Sequence, residues 1–94
     1  ESKIALIKID TQGGELEILR SATKTIVRHR PIIIFEFEEE YHSNPGQQRE
    51  ALYSFFKEHS YELYTTPDST GVMYTVTFKG FFHGDVVAIP KMEE

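Results

Sequence analysis

The sequence contains no cysteine, which excludes disulfide staples, a thiolate nucleophile and thiolate metal sites. It contains no apolar run that approaches the roughly 20 residues a membrane-spanning helix needs. It also lacks a stripe of Lys and Arg: 10 basic residues stand against 15 acidic ones, a formal net charge of -5 with the four histidines neutral. So little positive charge is available for a phosphate backbone that nucleic-acid binding is not expected as the main task. No G-x-G-x-x-G loop and no P-loop is present, and the pair Gly13-Gly14 cannot by itself cradle a cofactor. A basic leader is missing as well. The chain opens on Glu1 and enters an apolar run within three residues, so the expectation is a soluble, cytoplasmic piece cut from something longer.

What remains is the material of one globular domain over residues 1–94. The chain is 39% hydrophobic, with seven Phe and five Tyr to build a core, and 27% charged with strong patterning, which argues against disorder. Ile4 to Ile9 is a short run, apolar on both alternating faces, and it ends at Asp10-Thr11-Gln12-Gly13-Gly14; it reads as a parallel strand covered on both sides. From Glu15 the apolar residues Leu16, Leu19, Ala22, Ile26 and Val27 fall on one helical face, with Arg20, Lys24 and Arg28 between them. This helix is expected to end near Arg30-Pro31, with the proline biasing Arg30 toward extended geometry. Ile32 to Phe37 is too dense in apolar residues for a half-exposed strand and reads as a second buried one.

Asn44-Pro45 then offers a cap residue followed by proline at the first helical position. The helix it starts carries Leu52, Phe55 and Phe56 on its apolar stripe, faces Gln47 to Glu50 to water, and closes at His59-Ser60. Tyr61 to Thr65 alternates as a strand, Thr66 to Gly71 is a turn cluster, Val72 to Phe78 alternates again, Gly80 to Gly84 interrupts, and Asp85 to Ile89 resumes. The order β, α, β, α, β, β, β points to an α/β fold: a mostly parallel sheet with flanking helices and antiparallel strands at the end.

In open parallel sheets ligands sit outside the carboxyl ends of the strands, where Asp10 and Glu36 fall. Two carboxylates facing one crevice could orient or deprotonate an acceptor hydroxyl, with Lys8, two residues earlier on the same side of the pleat, to neutralise them. Plainer roles stand beside this one. Asp10 could cap the following helix, Glu15 could sit where a helix start favours anions, and Gly13 and Gly14 could be turn residues only. Lys8 could be a snorkelling side chain at a strand end, and Glu36 a solvated polar terminus.

The segment Lys8-Ile9-Asp10-Thr11-Gln12-Gly13-Gly14-Glu15-Leu16-Glu17-Ile18-Leu19, followed by Ser21-Ala22 and by Arg30-Pro31-Ile32-Ile33-Ile34-Phe35-Glu36, resembles the FkbM family of S-adenosylmethionine-dependent methyltransferases. That family shows a K-I-D-x-E-G-x-E-x-x-x-L signature, a small-residue pair, and a proline-led strand ending in Glu. Gln12 stands where the family usually has Glu, and Gly14 where it commonly has a larger residue. The resemblance implies the second half of a Rossmann-like class I methyltransferase, beginning at its fourth strand. It implies O-methyl transfer to the hydroxyl of a small-molecule or sugar acceptor. Asp10 would be the acceptor-side carboxylate, Glu36 and Lys8 its supports, and Gly13 and Glu15 further signature residues. The glycine-rich turn that holds the cofactor would lie in the other half, so S-adenosylmethionine is expected as the cofactor of a longer parent and not of this chain alone.

Other chemistry finds little footing. The acidic run Glu36, Glu38, Glu39, Glu40 with His42 has no spacing that fixes a ligand geometry, and a solvated loop accounts for it, so no metal is expected. His29, His42, His59 and His83 show no i, i+4 pairing, and no serine sits in a nucleophile elbow. The aromatic stretch Tyr74 to Phe82 carries one cation, Lys79, and reads as packing rather than as a platform for bases. A non-catalytic alternative is an association module: if Ile4 to Ile9 lies at a sheet edge, that edge is a template for strand addition, and a homo-oligomer follows.

Overall fold

The computed structural model describes residues 5–65, 72–76, 82 and 84–91. Strand β1 (Leu6–Ile9) leads through helices α1 (Glu15–Ser21) and α2 (Thr23–His29) to strand β2 (Ile32–Phe37). A 3-10 turn at Glu39–Tyr41 and helix α3 (Pro45–Glu58) connect to strand β3 (Tyr61–Thr65), followed by the short β4 (Tyr74–Thr75) and by β5 (Gly84–Pro90). The turn cluster expected at Thr66 to Gly71, most of the Gly80 to Gly84 interruption, and the end of the strand expected from Val72 to Phe78 lie outside the described residues.

The sheet order is β1-β2-β5-β3-β4. Only β1 and β2 pair in parallel among the described strands; β2 with β5, β5 with β3, and β3 with β4 are antiparallel. The fold is therefore α/β with a mixed sheet, and the expected dominance of parallel pairing is corrected. Its cause is the placement of β5. The crossovers do leave β1, β2 and β3 running in one direction, but β5 enters between β2 and β3 in the opposite sense, so the helix-linked pair β2 and β3 are not neighbours.

A second correction concerns the faces of the sheet. Ile33, Phe35 and Phe37 of β2 are buried, while Ile32 is 38% exposed and Glu36 is exposed; on β1, Ile9 is buried and Leu6 is 55% exposed. The apolar runs are thus covered on one side, not two. All three helices bury their stripes on that side. Leu16, Leu19, Ile26, Leu52, Phe55 and Phe56 form one cluster with Ile33, Phe35, Phe37, Leu63, Val86 and Ala88, and Phe56 lies parallel to Phe35 with ring centres 5.6 Å apart. The other face carries Leu6, Ile32, Ile34, Val87 and Tyr64, and no described element packs over it.

Local chemistry explains the helix ends. Asn44 accepts a hydrogen bond from the Gln47 amide at 3.2 Å ahead of Pro45, so α3 starts where the cap signal placed it. The single helix expected from Glu15 is broken at Ala22, where Ser21 Oγ donates to the Ile18 carbonyl and Thr23 Oγ1 to that of Arg20. Arg30 is not extended: it closes α2 in the left-handed region, φ 49°. That conformation is strained for a residue with a Cβ, and tertiary contacts hold it. The Arg30 guanidinium donates to the carbonyls of His59 (2.6 Å) and Ser60 (3.0 Å) and lies over the Tyr61 ring, whose hydroxyl donates back to the Pro31 carbonyl. Arg49, expected to face water, instead donates to the Phe82 carbonyl and pairs with Glu39.

Three outcomes test this packing. Phe56→Ala, which empties a fully buried site, lowers unfolding free energy in urea by about 3–5 kcal/mol. Tyr61→Phe, which removes the buried hydroxyl donor, costs about 1 kcal/mol. Lys57, at 2.9 Å, and then Lys91 hold the Glu62 carboxyl below its ordinary value of 4.5. A depressed carboxyl stabilises the fold above that ordinary value and loses the contribution as pH falls through the folded one. Glu62→Gln therefore flattens the acid limb of the stability curve below about pH 4.5, while an unchanged limb would contradict the pairing.

Candidate functional site

The parallel register that pairs Ile9 with Phe35 brings Asp10, just past β1, to the level of Glu36 on β2. Glu36 in turn stands opposite Asp85 on β5. Alternation along the strands puts these three carboxylates on the uncovered face of the sheet, at the end where the parallel strands finish. Both Asp10 and Glu36 are exposed. They lie close enough to act on one another: the Glu36 carboxyl is raised above its ordinary value, first by a hydrogen bond with Glu38 and that residue's charge, then by lost hydration, then by the charges of Asp85 and Asp10. Two carboxylates at one level of the sheet are an arrangement that can hold an acceptor hydroxyl and take its proton.

The plainer roles can now be sorted. The residue at the start of α1 is Gly14, with no side-chain cap, so Asp10 is not the helix cap. Lys8 is exposed beside Ile34, on the same face as Asp10 and Glu36. Gly13 is a conformational requirement: its φ is 95°, and a Cβ there would stand 2.6 Å from the Tyr41 carbonyl oxygen. The backbone of the β1–α1 turn is thus closed over by the 3-10 turn after β2.

Glu15 is the residue whose setting departs most from the sequence reading. It is a buried charged side chain, 1% exposed, facing His42 at 3.6 Å from Oε1 to Nε2. Glu15 Oε1, His42 Nε2 and Thr11 Oγ1 are buried with no hydrogen-bond partner among the described residues. The His42 ring also lies parallel to Phe37, centres 4.6 Å apart, and the Arg49 guanidinium sits over the same Phe37 ring. In the sequence His42 stands in an acidic run and among four histidines without metal-ligand spacing; the missed signal was its position after β2, in the loop that must meet the turn after β1. The run itself disperses, with Glu39 on Arg49 and His42 on Glu15. Among the described residues no group of three His, Cys, Asp or Glu is placed to hold a metal ion, and no helix is long and apolar enough to cross a membrane.

The electrostatic coupling of the crevice is directly measurable. Glu38→Gln removes the largest cause of the Glu36 shift and brings its titration, followed by carboxyl 13C NMR, down toward the ordinary value. The sign for stability follows. A raised carboxyl favours the protonated folded state, so the wild-type fold loses this contribution as pH rises from the ordinary value through the raised one, and Glu38→Gln removes that loss. A Glu36 midpoint unmoved by Glu38→Gln would show that the two do not share a proton.

Over residues 1–63 the chain matches the family described as the Methyltransferase FkbM domain. That span contains Lys8, Asp10, Gly13, Glu15, Glu36 and His42. No curated protein and no solved structure gives a match.

Proposed function

We propose, from the premise that this chain belongs to the FkbM methyltransferase domain family, that it forms the acceptor side of an S-adenosylmethionine-dependent O-methyltransferase. The observation that carries this reading is the meeting of Asp10 and Glu36 at the ends of adjacent parallel strands, where ligands of such sheets bind. Asp10 accepts the proton of the acceptor hydroxyl, leaving electron density on the oxygen that is to be methylated. Glu36, at the same level on the neighbouring strand, supports Asp10 by accepting a hydrogen bond from a second hydroxyl of the acceptor and so fixes its orientation. Lys8, exposed on the same face two residues before Asp10, contributes a positive charge to the approach. In this reading the methyl group comes from S-adenosylmethionine, which a longer parent would hold at a glycine-rich turn. A small-molecule or sugar hydroxyl fits an open, polar crevice bordered by the apolar row Ile34, Val87 and Tyr64.

A second reading is favoured by a specific observation: β1 lies at the edge of the sheet, and Leu6 is 55% exposed beside the exposed Ile32. An unpaired, apolar strand edge is a template for a second copy of the same chain. In this reading the cytoplasmic protein is a homo-oligomer joined through β1.

In a form of the protein that includes a cofactor-binding half, Asp10→Asn lowers kcat by about 100- to 10,000-fold, the range for loss of a positioned proton acceptor. Unchanged turnover removes Asp10 from the chemistry. For the 94-residue chain, light scattering at high concentration gives a dimer if β1 pairs with a second copy, and a monomer contradicts that reading.

A further inference from the structure

The loops that carry the crevice do not simply end near one another; a buried polar contact joins them. Glu15 belongs to the first turn of α1 and His42 to the loop after β2, and their side chains are 1% and 5% exposed. A buried imidazole–carboxylate pair contributes little to stability, because the hydration both groups lose offsets much of their attraction, and apolar residues of the same shape commonly do as well. What such a pair supplies is geometry, since either group is costly to bury without the other. The surroundings agree with that purpose. Gly13 is pressed against the Tyr41 carbonyl one turn away, the His42 ring is held by Phe37 of β2, and Arg49 of α3 braces both Phe37 and Glu39.

We infer that His42 and Glu15 are positioning residues: their contact clasps the β1–α1 turn to the β2–α3 connection and so sets where Asp10 stands relative to Glu36. Neither side chain touches the reacting atoms. His42 acts through Glu15, which anchors the far end of the five-residue turn that begins at Asp10. Without the clasp the turn loses its buried side-chain contact with the β2–α3 connection, and Asp10 samples positions away from Glu36. The catalytic meaning of this arrangement rests on the reading of Asp10 as the proton acceptor, but the clasp itself does not.

Three variants of the 94-residue chain test it without cofactor or acceptor, so that failure of the clasp and failure of the methyltransferase reading are separable. His42→Phe keeps the ring on Phe37 and removes the polar contact. His42→Gln returns a polar group to the place of Nε2. The double variant Glu15→Met, His42→Phe removes the pair without leaving a buried charge, and keeps the test open should His42→Phe alone fail to fold. Amide hydrogen exchange at Gln12 to Leu16 is expected to quicken about tenfold or more in the double variant, about 1.4 kcal/mol of lost local stability. Exchange in α3 stays as in the wild type. The Asp10 carboxyl 13C resonance moves in the double variant and returns in His42→Gln, while that of Glu62, two strands away from β2, does not respond. The inference is overturned if the double variant protects Gln12 to Leu16 as the wild type does, or if His42→Gln leaves the Asp10 resonance where the double variant puts it. If the clasp behaves as expected while Asp10→Asn retains turnover in the longer form, the clasp stands and the role of Asp10 falls.

Discussion

The parallel pairing of β1 with β2 is the constraint from which the rest of the site follows. Two strands that run the same way must finish at the same end, so the turns leaving them meet there, and whatever those turns carry is brought together. Here the turns carry Asp10 and the chain from Glu38 to His42, and the contact between them is dense: a glycine with φ of 95° against a carbonyl, and a buried carboxylate against an imidazole. The helices between the strands serve this arrangement by covering one side of the sheet only. Phe35, Phe37, Phe56 and Tyr61 lock α3 onto β2 and β3, so the loop after β2 has a fixed base from which to reach the turn after β1.

Much of this was legible in the residues. The run Ile32 to Phe37 between Pro31 and an acidic exit, the Asn44-Pro45 helix start, and the alternation of Tyr61 to Thr65 each rest on local chemistry, and each element lies where that chemistry puts it. The level at which Asp10 and Glu36 meet was legible too, because it needs only two parallel strands and their ends. What was not legible depends on distant partners. Nothing in Asp85 to Ile89 says that it enters between β2 and β3 rather than beyond them. Ile32 and Leu6 are apolar whether their face is covered or open, so periodicity alone took both faces as buried. Arg30 overrides the preference set by Pro31 because carbonyls of His59 and Ser60, thirty residues on, hold its guanidinium. Glu15 and His42 carry no local mark of their pairing; only the folded chain brings them within 3.6 Å.

The two faces of the sheet divide the work. The covered face supplies cohesion, and the rings of Phe35, Phe37 and Phe56 are fully buried in its core. The open face carries exposed carboxylates at the end of the parallel strands and a row of Ile34, Val87 and Tyr64 beneath them. Asp10 and Glu36 are exposed, and Glu38, Asp85 and Asp10 crowd Glu36 with like charge. Such crowding opposes ionisation.

The measurement that bears most directly on this account is the carboxyl 13C titration of Glu36 in the Asp10→Asn variant beside the wild type. If the parallel pair and its clasped turns hold Asp10 against Glu36, removing the charge of Asp10 lowers the Glu36 midpoint toward the ordinary carboxylate value, with the fold unchanged by circular dichroism. If the midpoint is the same in both proteins, the two carboxylates do not share a crevice, and the acceptor site described at the ends of β1 and β2 does not exist.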